Sequence, residues 1–154
     1  MAKRINRAIE LLEQDQPVYY VDAPPGAELS HDLGREMAGT WADFIGVEME
    51  HGAFDVRGLG RFMTGLAEAG PTASAHRTPA VIVQVPVDGS DEAVVRANAW
   101  QFRQVLARGV HGILLCHAET PAAVRAFVES CRYPFHREGV TEAEGALGEG
   151  RRGS

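Results

Sequence analysis

Phe44-Ile45-Gly46-Val47-Glu48-Met49-Glu50-His51-Gly52-Ala53-Phe54-Asp55 passes from apolar to acidic in a few residues. The first half reads as a buried strand, expected over residues 43–49. Glu48, Glu50 and His51 then arrive together, and Gly52 follows at once. An apolar run that ends in carboxylates, a histidine and a glycine is how an α/β protein presents chemistry at the carboxyl end of a strand. Asp55 suits the N-cap of a following helix, whose Val56, Leu59, Phe62, Met63 and Leu66 fall on one face.

Outward from this stretch the same unit recurs. Ala80-Val81-Ile82-Val83-Gln84-Val85 predicts a strand over 80–86, with a turn at 86–89. Ser90 is the expected cap of a long helix to Leu106, with Trp100 and Phe102 as core. Gly112 to Cys116 predicts a fourth strand, followed by His117 and Glu119. Thr120-Pro121 is an N-cap with proline at N1. Its helix should bury Val124, Phe127, Val128 and Cys131. Ahead of these, residues 3–13 carry Ile5, Ala8, Ile9 and Leu12 at helical spacing. A short strand is expected over 17–21, a loop around Pro24-Pro25, and a helix over 27–38. Residues 137–154 are expected to form an irregular glycine-rich tail of a single domain, 1–154.

The result is four strand–helix units behind one extra helix. Continuous apolar strands, not alternating ones, are the mark of a parallel sheet covered by helices. No Gly-x-Gly-x-x-Gly and no P-loop appears, so a nucleotide reading has no motif behind it. The net charge of −6, with no basic tract, argues against nucleic acid as a partner. No apolar run reaches the ~20 residues of a membrane span, and no apolar segment follows Met1-Ala-Lys-Arg. Cys116 and Cys131 are expected as reduced thiols, and the protein in the cytoplasm.

The stretch from Phe44 to Asp55 resembles the acidic-x-Glu-His signature of the HpcH/HpaI aldolase family. The helix and strand from Val95 to Cys116, Arg132-Tyr133-Pro134, and Gly150-Arg151-Arg152-Gly153 fall where that family has similar elements. The resemblance implies a (β/α)8 TIM barrel, here its first four βα units with an extra N-terminal helix. It implies a carbon–carbon lyase acting on a small 2-oxo acid and forming pyruvate. A divalent metal, Mg2+, Mn2+ or Co2+, would stabilise the enolate. His51 matches the catalytic histidine and Glu48 its acidic partner, an aspartate in well-known members. Gln84, His117 and Glu119 are the candidate substrate contacts. Three departures stand out. Gln84 occupies the place of a substrate-holding arginine, and Ala107 that of an aspartate. The family's metal ligands, on its fifth and sixth strands, lie beyond residue 154, so no metal ligand is assigned here.

Each site residue also has a plainer reading. His51 is then a strand-end histidine bonded to backbone, and Glu50 a structural or supporting carboxylate. Gln84 is a loop contact, and His117 and Glu119 are loop caps. His31, His76, His111 and His136 read as surface or packing residues, and Arg151 and Arg152 as a solvated tail. Two functions compete: a truncated metal-dependent 2-oxo-acid aldolase, and a non-catalytic half-barrel serving as an assembly or binding module. Both expect open strand edges, and hence a homo-oligomer or a missing C-terminal half.

Overall fold

A computed structural model describes residues 6–133. The glycine-rich tail with Arg151 and Arg152, His136, Pro134 and the expected helix start at Lys3 lie outside the described residues. Within them the chain is α/β, with five helices and one four-stranded, all-parallel sheet. In chain order the elements are α1 (Arg7–Glu13), β1 (Tyr20–Asp22), α2 (His31–Met37), β2 (Phe44–Glu48), α3 (Val56–Glu68), β3 (Ala80–Asp88), α4 (Glu92–Leu106), β4 (Gly112–Cys116) and α5 (Pro121–Cys131). No helix among the described residues is long and apolar enough to cross a membrane.

The sheet order is β1-β2-β3-β4, so every connection steps to the next neighbour in the same direction. Right-handed crossovers then put the connecting helices on a single face. Burial agrees with this. Ile45, Val47, Val81, Val83 and Val85 are at most 1% exposed, and they share one core with Leu59, Phe62 and Leu66 of α3, Val95 and Phe102 of α4, and Ala123 and Ala126 of α5. The alternate residues form the other face, where Tyr20 and Leu114 are exposed and Phe44, Ile82 and Gln84 half-buried. Tyr20 stacks on Phe44 there, with centroids 5.1 Å apart.

Four expected boundaries move, each for a local reason. β1 is Tyr20–Asp22 rather than 17–21, because the Tyr19 N–H donates to the Asp43 carboxylate at 2.9 Å and strand pairing starts one residue later. α2 begins at His31 rather than 27, because Ser30 caps Leu33 N–H at 3.1 Å. α4 is capped by Asp91, not Ser90, through Val94 N–H at 2.9 Å. β3 runs on to Asp88 where a turn was expected at 86–89. Pro86 has no N–H to give its neighbour, and the pairing with β4 shifts register between Gln84 and Asp88.

Three expected core faces are also corrected. In α1 the buried residues are Ala8 and Leu11, while Leu12 is 65% exposed. Trp100 is exposed and meets Phe54 edge-on at 5.9 Å, so of the pair only Phe102 is core. In α5 the small residues Ala123, Ala126 and Ser130 are buried and Val124 is exposed. Small side chains let α5 lie close against α4, and Phe127 meets Phe102 edge-on at 5.1 Å beside them.

Candidate active site at the carboxyl end of the sheet

Parallel strands carry their carboxyl ends to one rim, and the polar residues collect there. Glu48 ends β2 and pairs in register with Gln84 of β3, so the two side chains leave the sheet on the same side. Asp22 ends β1, Asp88 ends β3, and Cys116 ends β4 opposite Asp88. Gly46 has a steric purpose here. A Cβ at this position would run into the Asp22 carboxylate, which lies across β2.

Beyond Glu48 the chain turns. The Glu48 Oε1 accepts the His51 backbone N–H at 2.7 Å, which fixes the turn that places Glu50 and His51. Met49 between them is 1% exposed and anchored in the core, with its N–H on the Gln84 carbonyl at 2.9 Å. Glu50 is the hub. Its Oε1 lies 2.8 Å from His117 Nε2 and its Oε2 4.0 Å from His51 Nε2. The Cys116 thiol also donates to it, and that bond, with the two histidines, holds the Glu50 carboxyl below the usual carboxylate range against the opposing effect of burial. The same contact works in reverse on Cys116. Burial first, then the Glu50, Glu48 and Asp88 charges, push its thiol up to about 12. Cys116 is therefore a hydrogen-bond donor, not a nucleophile.

His117 is held by the loop it opens. Gly89 N–H donates to the Cys116 carbonyl at 2.8 Å, and Glu119 N–H to the Gly89 carbonyl at 3.1 Å. A Cβ on Gly89 would come within 2.9 Å of that Cys116 carbonyl, so only glycine lets the two loops touch. His117 itself sits at φ 48°, a left-handed conformation uncommon outside glycine.

The five candidate residues therefore divide. Glu48, His51, Gln84 and His117 gather at one end of the sheet, with Glu50 between the two histidines. The Glu119 side chain is exposed and has no partner among the described residues. Glu50 has the larger part in the geometry, and Asp88 and Cys116 join it. The sequence signals for Asp88 and Cys116 were the Val85-Pro86-Val87-Asp88 alternation past Pro86, and the end of the apolar run Gly112 to Cys116.

A cavity of about 270 Å³ opens beside Glu48, between Pro24, Gly26 and Glu28 on one side and Gly52 and Asp55 on the other. It suits a small ligand of a few heavy atoms. Glu48, Glu50 and His51 also bring ligand-type atoms within 4.8 Å of one another. They do not make a complete divalent site. Hard cations such as Mg2+ take about six oxygen-rich positions. Here one Glu48 oxygen already holds the His51 N–H and one Glu50 oxygen the His117 ring.

No protein-family model, no curated protein and no solved structure matches the chain.

Proposed function

We propose that this chain is half of a (β/α)8 barrel of the 2-oxo-acid aldolase type, a carbon–carbon lyase whose metal-holding half is supplied by other strands. The observation that carries the reading is the convergence of Glu48, His51, Gln84 and His117 on the carboxyl rim of a singly wound parallel sheet. Strand order without a reversal is the order of a barrel, and the carboxyl rim is where barrels carry out chemistry. The open face with Tyr20, Phe44, Ile82 and Leu114 supports it, because those positions would face a barrel interior.

In this reading His51 is the base that takes the aldol hydroxyl proton. Its ring is 77% exposed and free to meet a ligand, with the Glu50 carboxylate 4.0 Å away. Glu48 fixes the turn that aims it. Gln84, half-buried and without a side-chain partner among the described residues, offers an amide N–H to an oxo-acid oxygen. That is a weaker anchor than a guanidinium. A divalent metal would supply enolate stabilisation when bound, and the three donors here do not fit it alone. A lone base gives only ~10²–10⁴-fold, so the isolated chain is a poor aldolase or none. The enzyme would work in the cytoplasm with both cysteines reduced.

The second reading, an assembly module without catalysis, is favoured by one observation: Gln84 stands where the resembling enzymes place an arginine. Complementation separates the two. The chain is mixed with the separately expressed second half of an aldolase of the resembled family and assayed for pyruvate from 4-hydroxy-2-oxo acids with Mg2+, Mn2+ or Co2+. Metal-dependent pyruvate release that His51→Ala abolishes supports the enzyme. A complex that forms and releases none supports the assembly module.

A further inference from the structure

Between α3 and α4, four of the arginines line one groove. α3 and α4 cover the same face of the sheet yet touch each other little, and a groove runs between them. Two connected cavities fill it, about 500 Å³ and 710 Å³, which share Gly60, Thr64 and Arg108. Arg77 lines the first, together with Thr78 and His111 at the starts of β3 and β4. Arg57 and Arg61 line the second. The groove therefore reaches the amino end of the sheet, opposite Glu48.

Only Arg61 of these four arginines has a carboxylate, Glu28 at 3.2 Å. Arg57, Arg77 and Arg108 make no hydrogen bond or ion pair with a described residue. The single acidic lining residue, Glu68, is already 2.8 Å from the His31 ring. Arg108 is also positioned. Its stem lies on Gly60, where a Cβ would come 3.4 Å from its Cδ, so the guanidinium stands where the two cavities meet. In a chain of net charge −6, four arginines around one concavity run against the overall sign. Arg57 and Arg61 also repel each other one helical turn apart. An anion in the groove would relieve both.

We propose that the α3–α4 groove is a binding site for a small polyanion, a molecule with at least two phosphate or carboxylate groups, bridged across the two cavities by Arg108. Planar guanidinium groups pair with either group through two parallel hydrogen bonds. Arg108 is the arginine common to both cavities, so one anionic group on each side of it can pair with its guanidinium.

The test is isothermal titration of the full chain with pyrophosphate, citrate and inorganic phosphate at low and at physiological salt. Pyrophosphate or citrate should bind at both salt levels, and whichever is tighter names the group. Inorganic phosphate, too short to bridge, should bind at least about tenfold more weakly. Arg108→Gln should weaken the bridging ligand at least about tenfold, with Arg108→Lys between it and the parent. Arg125→Gln, on the exposed side of α5, should change nothing. Circular dichroism confirms that each variant is folded. Failure of both bridging anions to bind at physiological salt overturns the proposal, as does an equal loss in Arg108→Gln and Arg125→Gln. Neither outcome bears on pyruvate release at the opposite end of the sheet.

Discussion

The two faces of the sheet share the same strands and differ in everything else. On the covered face, Ile45, Val47, Val81, Val83 and Val85 are sealed under helices. On the open face, one residue along, stand Tyr20, Phe44, Glu48, Ile82, Gln84 and Leu114, mixed in polarity and partly in water. A period of two residues separates them. The covered face holds the fold. The open face ends in the acidic and imidazole groups, and its remaining apolar side chains have water where a barrel would have its interior.

The comparison breaks first on a matched pair of isoleucines. Ile45 is 0% exposed, whereas Ile82 is half-buried on the other face. Ile45→Ala should cost ~2–5 kcal/mol in denaturant unfolding, from lost burial and an unfilled cavity. Ile82→Ala should cost less than half as much in dilute protein. If the Ile82→Ala loss grows with protein concentration, a partner covers the open face. Equal losses in dilute protein would erase the distinction between the faces.

The strands and helices were legible in sequence because continuous apolar runs, glycine stops and caps such as Asp55 and Thr120 are local signals. An open apolar inner face was expected too, but which residues lie on it was not readable, because a strand apolar on both sides does not say which side the helices take. Trp100 and Val124 were misplaced because helical spacing marks a stripe but not its edges: in α4 Trp100 falls to the exposed side against Phe54, and in α5 Ala123 and Ala126 take the buried places. At the rim, Glu48, His51, Gln84 and His117 could be named from strand ends. That Glu50 links His117, His51 and Cys116 depends on the loop held by Gly89, a contact between chain segments far apart in sequence.

The rim can be sharpened through Glu50. Its carboxyl is held below its ordinary range, so its stabilising effect is complete above that range and is lost as pH falls through the depressed folded value. Thermal melts of the parent and of Glu50→Gln should differ near neutral pH and converge in acid. Cys116 has the opposite sign. Its thiol is raised from 9.0 to about 12, so its contribution is whole below about pH 9 and is lost as pH climbs toward 12. Glu50→Gln removes a hydrogen bond and a charge but leaves the burial. In a Cys131→Ser background, Cys116 of that variant should alkylate several-fold faster at pH 9 than in the parent. An unchanged rate would mean that burial alone sets the thiol and that the Glu50 contact is idle.

The smallest effect belongs to the outer side of the covering helices, where His31 of α2 meets Glu68 of α3. His31 Nε2 lies 2.8 Å from Glu68 Oε2, and Asp32 is 3.5 Å from the other ring nitrogen. The hydrogen bond to Glu68 first, then that to Asp32, raises the His31 pKa. The folded value therefore exceeds the unfolded one, near 6.5. The added stability is complete below about 6.5 and disappears as pH rises through the raised value. Water and salt screen this exposed pair, so the effect should be small and should shrink further in high salt. The same two helices are held far more firmly where they touch. A Cβ at Gly34 would strike the Phe62 carbonyl, and one at Gly65 the His31 carbonyl, so the backbones meet with nothing between them. His31→Gln should thus lower the melting temperature slightly at pH 5 and not at pH 9. Gly65→Ala should lower it strongly at both. If His31→Gln mattered as much as Gly65→Ala, the covering layer would be held by its charged rim and not by the contact beneath it.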